Sequence, residues 1–246
     1  MDETKLDKNY KKGDSGPYVR LIQEWLCLNG INVVIDGSFG SATDAAIRKF
    51  QMINTLSVDG AVGPITFSKL IEPLTNVLKP IPVNGQSTGE MVVAYSQQHL
   101  LQHPREIGGQ NMGPWVRLYM RGNQGVDWPW CAGFVSYILR QTCDDLNISL
   151  PLQTSDSCID LANNAKTKNL FLSEAEVLAD RTKLNSGSIF LNRKSPDFWS
   201  HTGIVIAIED EVFHTIEGNT NDEGSAEGYE VCQRIRNYPA KDFIKI

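Results

Sequence analysis

One cysteine of the chain lies where its thiol could act as a nucleophile. Cys131 is the first residue of an apolar stretch with helical spacing, which continues through Phe134, Val135, Ile138 and Leu139. The free N–H groups at a helix start favour a thiolate, the reactive form of cysteine. The backbone N–H of Cys131 could also donate to the oxyanion of a tetrahedral intermediate. The helix alone leaves two interpretations open for Cys131, a nucleophile and a buried structural cysteine, which is the usual role of this residue type.

A histidine and the polar residues of a later strand could complete a thiol hydrolase. His201 begins a run of strand type, and two-residue alternation puts Thr215, Glu217 and Asn219 on one face of the next run. His201 would be the general base towards the thiol and the general acid towards the leaving amine. A further residue must orient its ring. Glu217 and Asn219 form a same-face pair that could reach the ring, and His214 on the opposite face is a further candidate.

The elements that must position these residues change in character along the chain. Helical periodicity prevails after residue 91, where Cys131 lies. After Ser186 the pattern changes to short β-branched and aromatic runs that are broken by turns. Helices followed by an antiparallel sheet predict an α+β fold of the papain-like kind.

The first part of the chain predicts a small all-α domain of three helices. Its helical pattern contains an internal repeat, in which residues 36–43 return as residues 59–66. Each copy is an Asp-Gly turn that leads into a helix start. Residues 73–90 are rich in proline and glycine and predict a linker. The expected domains are therefore 1–72, the linker 73–90, and a second domain over 91–246.

These motifs resemble two known families. The repeat, with Phe50-Gln51 at the end of its middle helix, is similar to the three-helix peptidoglycan-binding domain of cell-wall hydrolases. Residues 91–238 resemble the CHAP domain (cysteine, histidine-dependent amidohydrolase/peptidase) in the segments 105–111, 130–136, 201–205, 215–221, 224–225, 227–228 and 234–236. The second resemblance implies a nucleophile at Cys131, a base at His201 and an orienting Glu217, with Asn219 as an auxiliary polar group.

The combined expectation is a peptidoglycan hydrolase that cleaves an amide bond through an acyl-enzyme on Cys131. It would be an N-acetylmuramoyl-L-alanine amidase or a peptide endopeptidase, and it would need no cofactor and no metal. Two alternatives stay open. One is a wall-binding protein whose second domain is not catalytic, and the other is a cytosolic amidohydrolase or peptidase that acts on soluble peptides.

Composition limits the partners. The formal net charge is −6, and no basic cluster with interleaved aromatic residues occurs, so nucleic acid is not an expected partner. No apolar run reaches the roughly 20 residues that cross a bilayer, so no membrane association is expected. The first 16 residues lack the apolar core of a secretory signal. We expect synthesis in the cytoplasm and action on the wall, as a monomer. A phage endolysin fits, and so does an injected effector with an immunity protein or a secretion-system carrier.

Several residues of metal-binding type have simpler interpretations. The segment 219–230 loosely fits a calcium loop, but a turn that contains Asn, Asp and Gly explains it more simply. His99 and His103 lie one helical turn apart without a third ligand, and surface positions are expected for both. The remaining cysteines form no C-x-x-C pair and predict neither a disulfide framework nor a zinc site. We expect a structural role for the four of them, Cys27, Cys143, Cys158 and Cys232.

Overall fold

A computed structural model describes residues 2–221 and 228–246. Part of the calcium pattern and of the CHAP resemblance lies outside the described residues, namely Glu223, Gly224, Ser225 and Glu227. In the described part, the helices are α1 (Pro17–Leu28), α2 (Ser41–Ile53), α3 (Pro64–Leu70), α4 (Glu72–Val77), α5 (Thr88–Leu100), α6 (Pro114–Tyr119), α7 (Cys131–Leu146), α8 (Cys158–Thr167) and α9 (Glu174–Ala179). None of these helices is long and apolar enough to cross a membrane.

The second half of the chain is built on one antiparallel sheet. Its strands are β1 (Phe171–Leu172), β2 (Ile189–Ser195), β3 (Phe198–Ile208), β4 (Val212–Thr220), β5 (Glu230–Asn237) and β6 (Lys241–Ile244). They lie in the order β1-β6-β2-β3-β4-β5. Helix α7 packs on β3 and β4, and α8 packs on β3. The mixture of helices with an antiparallel sheet confirms the predicted α+β class, including the helical N-terminal part.

Close packing of α7 on the sheet depends on one glycine. A Cβ atom at Gly218, on β4, would lie 2.7 Å from Cβ of Phe134 and 2.8 Å from the ring of Trp130. Real Cβ atoms do not approach heavy atoms so closely, so a larger residue would push β4 away from α7. Gly218 therefore keeps the start of α7 close to the strand that carries Glu217 and Asn219.

Each Asp-Gly turn of the internal repeat is held by hydrogen bonds to one buried glutamine of the N-terminal module. Nε2 of Gln23 donates to Oδ1 of Asp36 at 2.8 Å and lies 3.2 Å from Oγ1 of Thr43, while its Oε1 accepts from the Gly37 N–H at 2.7 Å. The side chain is 1% exposed. Each Asp-Gly turn needs its polar groups satisfied inside the module, and one glutamine satisfies several of them.

Gln51 makes the same set of bonds in the second copy. Its Nε2 donates to Oδ1 of Asp59 at 2.8 Å and lies 3.2 Å from Oγ1 of Thr66, and its Oε1 accepts from the Gly60 N–H at 2.9 Å. Gly60 has a φ of 74°, in the left-handed region that glycine adopts readily. The repeated sequence thus encodes a repeated turn that closes around a buried amide.

The module is joined to the second half by direct contacts. Arg117 on α6 bonds Glu3 at 2.6 Å and Glu24 on α1 at 2.7 Å, and Glu24 is only 1% exposed. The rings of Trp25 and Trp115 meet edge to face at 5.7 Å. Buried residues of the module and of the sheet half belong to one continuous apolar cluster.

The segment predicted as a linker, 73–90, is partly regular. Its first residues belong to α4, on which Leu74 and Val77 are buried. Further along, the N–H of Ile81 donates to the hydroxyl of Tyr95 at 2.9 Å. These contacts hold the beginning of the segment against the second half of the chain.

Candidate active site

Cys131 is the first residue of α7, as the sequence predicts, and it is 5% exposed. The preceding Trp130 is the N-cap residue of α7, and two contacts fix its side chain. Its ring stacks on Tyr119 at 5.5 Å, and its Nε1 donates to Oε1 of Glu106 at 2.9 Å. No side chain caps the helix start, so the N–H groups of the first turn are directed at the thiol region. These groups favour negative charge at Cys131.

His201 lies near the beginning of β3 and is paired with Glu217 on β4. Nε2 of His201 and Oε2 of Glu217 are 2.8 Å apart, and the two residues are 3% and 0% exposed. Nδ1 of the ring has no conventional hydrogen bond to the described residues. It is the ring nitrogen that remains for the Cys131 thiol, with which His201 also interacts. The structure thus brings together Cys131, His201 and Glu217.

Arg236 on β5 is a further member of this hydrogen-bonded series, and the sequence alone gave it no individual role. Its Nε and Nη2 donate to the two carboxylate oxygens of Glu217 at 2.8 and 2.6 Å. Thr215 adds a bond at 2.5 Å to Oε1. Glu217 is fully buried and has partners on both oxygens, which is what an ionised buried carboxylate requires.

A glycine on β3 gives Glu217 its path to the histidine. A Cβ atom at Gly203 would lie 2.6 Å from Cγ of Glu217 and 2.8 Å from the ring of Phe190. Gly203 lies on the same face of β3 as His201, two residues on. The side chain of Glu217 occupies the space that a side chain at position 203 would fill, and its carboxylate thus reaches His201 across β3. The His-Thr-Gly sequence at 201–203 thus serves the geometry of the pair.

The protonation of this chain follows from its contacts. Burial raises the pKa of Glu217, but the bonds from Arg236 and His201 outweigh it and hold that pKa at about 2. Burial lowers the pKa of His201, but its hydrogen bonds with Cys131 and Glu217 outweigh burial and raise it to about 9. At neutral pH, Glu217 is ionised and His201 carries a proton.

The thiol of Cys131 has a second sulfur beside it. Sγ of Cys131 and Sγ of Cys158, the first residue of α8, are 3.8 Å apart. The bond from the Cys158 thiol is the largest cause that lowers the pKa of Cys131, and His201 adds to it against the effect of burial. The pKa of Cys131 is held well below its usual range. A thiolate beside an imidazolium is the arrangement of an activated nucleophile.

The site opens into a cavity of about 550 Å³. Cys131, Cys158 and Asn219 line it, while His201 and Glu217 lie behind this surface. Asn219 adopts a left-handed φ of 54° and is 1% exposed, and its Oδ1 has no hydrogen-bond partner among the described residues. Asn219 does not bond His201, so the structure brings it to the cavity and not to the ring. Further wall residues are Met120, Arg121, Asp127, Trp128, Ser155, Asp156, Asp160 and Phe198.

The other candidates of the sequence analysis lie elsewhere. His214 bonds Glu209 at 2.8 Å and does not line the cavity. The expectation of a surface position is wrong for His99, which is 0% exposed because Nδ1 bonds Tyr119 at 2.9 Å and Nε2 bonds Gln141 at 3.1 Å. Burial lowers its pKa to about 4. Among residues 2–221 and 228–246, no three His, Cys, Asp or Glu side chains lie close enough to hold a metal ion.

Comparison with known proteins supports the interpretation of the repeat module. Residues 15–70 match the family model of the peptidoglycan binding domain. Over 64 residues the chain is 41% identical to the zinc D-Ala-D-Ala carboxypeptidase of Streptomyces albus G. The aligned region covers 25% of this chain and 25% of that protein. The chain therefore spans about a quarter of the length of this curated relative.

Two solved structures are similar over part of their length. The peptidoglycan-binding protein of Clostridioides difficile is 46% identical over 28% of this chain and 42% of that one, with a TM-score of 0.26. The Burkholderia AP3 phage endolysin is 24% identical over 44% and 41% of the two chains, with a TM-score of 0.25. The family match covers both copies of the repeat that closes around Gln23 and Gln51. The N-terminal module of this chain is a peptidoglycan-binding domain.

Proposed function

We propose that the chain is a CHAP-type peptidoglycan hydrolase that cuts an amide bond with Cys131 as its nucleophile. The observation that supports this most is the hydrogen-bonded series Arg236, Glu217, His201 and Cys131, which ends at a cavity. Each member holds the next in the protonation state that thiol catalysis needs. The match of residues 15–70 to a peptidoglycan-binding family supports the polymer as substrate.

The proposed reaction begins with attack on an amide carbonyl. The Cys131 thiolate adds to the carbonyl carbon, and the negative oxygen of the tetrahedral intermediate accepts from the N–H groups at the start of α7. Protonated His201 then gives its proton to the leaving nitrogen as the C–N bond breaks. A thioester on Cys131 and a free amine result.

Water completes the cycle in the second half of the reaction. Neutral His201 takes a proton from a water molecule, whose oxygen attacks the thioester carbonyl. Collapse of the second tetrahedral intermediate releases the carboxylic acid and restores the thiolate. His201 keeps the proton and is ready for the next leaving amine.

Glu217 and Arg236 act through the histidine. The carboxylate fixes the ring so that Nδ1 is left for the thiol and stabilises the imidazolium at 2.8 Å. Arg236 keeps the carboxylate ionised and in place with two bonds. We assign both a positioning role, because neither lines the cavity.

Asn219 provides an unpaired acceptor at the cavity wall. Its Oδ1 is buried without a partner among the described residues, which costs free energy unless a substrate N–H donates to it. A peptide chain carries such N–H groups on each side of the scissile bond. We therefore assign Asn219 to substrate binding near the thiol, and the bond cut is either the sugar–peptide amide or a peptide bond.

The N-terminal module would keep the enzyme on the polymer. Binding of one part of the chain raises the local concentration of substrate at the other. Because Arg117 and the Trp25–Trp115 contact fasten the module to the second half, the cavity would have a defined position relative to the bound strand.

The test is digestion of purified sacculi by the wild type and by Cys131→Ala. Products are separated and identified by mass spectrometry. We expect soluble fragments from the wild type and none from Cys131→Ala. Cys143→Ala is the matched control, because it removes a thiol from the same helix at a residue that does not line the cavity. The control should release the same products as the wild type.

The products also decide between the two reactions. Free stem peptides with bare glycan would identify an amidase, and shortened or uncrosslinked muropeptides would identify an endopeptidase. If the wild type and Cys131→Ala both bind sacculi and neither releases soluble fragments, the protein binds the wall without cutting it. Hydrolysis of soluble peptides without binding to sacculi would favour a peptidase of small substrates.

A further inference from the structure

A second thiol stands within contact distance of the proposed nucleophile. The sulfurs of Cys131 and Cys158 are 3.8 Å apart, and both residues line the cavity. The sequence predicts only a structural role for Cys158. A structural cysteine is normally surrounded by apolar side chains, whereas this one faces another sulfur at the wall of an open cleft.

Both sulfurs sit at helix starts. Cys131 begins α7, and Cys158 begins the ten-residue helix α8, which Ser157 caps by accepting from the N–H of Asp160 at 3.3 Å. Positive ends of two helices therefore converge on the pair. This environment stabilises the thiolate of Cys131, to which the Cys158 thiol donates, and thiolates are the forms that oxidants attack.

Two other cysteines lie away from the cavity. Cys143 lies further along α7 and is 1% exposed, and it is not part of the cavity wall. Cys27 bonds the Val33 carbonyl at 3.4 Å in the N-terminal module. An oxidant that enters the cavity meets Cys131 and Cys158 first.

We propose that Cys131 and Cys158 form a reversible disulfide when a peroxide enters the cavity. The Cys131 thiolate attacks one oxygen of hydrogen peroxide, the O–O bond breaks, and a sulfenic acid and hydroxide form. The Cys158 thiol then loses its proton as its sulfur attacks the sulfur of the sulfenic acid, and the hydroxyl group takes up this proton and leaves as water as the S–S bond forms. Overall, two thiols and one peroxide give one disulfide and two water molecules. The two thiols are oxidised, and the peroxide is reduced.

The disulfide would inactivate the proposed hydrolase and would also protect Cys131 from irreversible oxidation. A sulfur bonded to Cys158 cannot attack an amide, so cleavage stops. A sulfenic acid that is resolved as a disulfide does not proceed to the sulfinic acid, which thiols do not reduce. This inference on regulation rests on the proposed function, but the bond itself forms whether or not the protein cuts peptidoglycan.

The test treats the full-length protein with hydrogen peroxide and measures mass and cleavage of sacculi. Intact mass should fall by two hydrogen atoms, and digestion without reductant should give one peptide that links Cys131 to Cys158. Cleavage should fall by about ten-fold or more, since no free thiolate is left, and dithiothreitol should restore it. Cys143→Ala is the matched control and should behave as the wild type does.

Removal of the second sulfur should change the chemistry. In Cys158→Ala, peroxide should add oxygen atoms to Cys131, and dithiothreitol should not reverse the sulfinic product. Cys158→Ser repeats the experiment with a side chain closer in size, and circular dichroism checks that each variant is folded.

The inference is overturned if the treated wild type contains no linked peptide, or if Cys158→Ala recovers from peroxide as fully as the wild type. Absence of cleavage by the reduced wild type would instead overturn the proposed function. The two failures are distinct, because the linked peptide is read from mass alone.

Discussion

Replacement of Arg236 by methionine tests whether the buried carboxylate depends on its arginine. The change keeps the apolar stem and removes two bonds to Glu217, at 2.8 and 2.6 Å. Glu217 then keeps His201 and Thr215 as partners. Hydrogen bonds to charged groups contribute about 1.5–3 kcal/mol each. Arg236 is 21% exposed, so water screens part of this contribution, and the expected loss in unfolding free energy is about 2 kcal/mol at neutral pH.

The same loss has a predicted dependence on pH. The pKa of Glu217 is about 2 in the fold, below its ordinary value of 4.5. A carboxylate with a depressed pKa stabilises the fold above its ordinary pKa, and this contribution is lost as the pH falls through the folded pKa. In Arg236→Met the pKa of Glu217 is less depressed. The difference between variant and wild type should therefore be full at neutral pH and shrink as the pH falls from about 4.5 towards about 2.

Urea unfolding at several pH values measures both quantities. Glu217→Gln and the double variant complete a cycle, in which Arg236→Met should cost clearly less once the carboxylate is gone. An unchanged slope against urea would show that the variants unfold as the wild type does. A loss below about 0.5 kcal/mol at neutral pH, the level of an ordinary surface substitution, would refute the argument. So would a loss that stays constant down to pH 3 or so.

Three further predictions concern single residues. Iodoacetamide should alkylate Cys131 at about pH 6 and leave Cys143 unmodified, because one pKa is lowered and the other raised; equal labelling in a peptide map would contradict this. Gly203→Ala should lower the unfolding free energy by about 1–3 kcal/mol and slow cleavage, since its Cβ would meet Glu217; a variant as active and as stable as the wild type would count against this path for the carboxylate. Gln51→Met should destabilise the module by about 2 kcal/mol and weaken sedimentation with sacculi; unchanged binding at a temperature near unfolding would contradict it.

Local patterns in the sequence were sufficient to place Cys131 at a helix start and to find Glu217 as a partner of His201. The helical stripe after Cys131 predicted a helix start there, and α7 begins at that residue. Two-residue alternation placed Glu217 and Asn219 on one face of β4, and Glu217 does bond His201. Both inferences rest on the period of a single element, which the sequence shows directly. Their catalytic roles remain predictions.

The partners that arrive from other elements were not predictable in this way. Arg236 reaches Glu217 because β5 pairs with β4 in one particular register, which pairs Phe213 with Arg236. Cys158 reaches Cys131 because α8 packs on β3. Neither pairing leaves a periodic signal in the sequence. The buried Gln23 was missed for another reason, since a glutamine in a helix is usually exposed.

The contacts of Arg117 and Trp115 make the wall-binding module a structural component of the whole chain. Loss of the module would leave Arg117 without Glu3 and Glu24 and would expose the ring of Trp115 to water. In the intact chain, heat should therefore unfold both halves in one cooperative transition, and wall binding and cleavage should disappear at the same temperature. A chimera that carries another binding module would need an acidic residue and a tryptophan at the places of Glu24 and Trp25. Exchange of modules between such proteins is thereby restricted to those whose contact faces match.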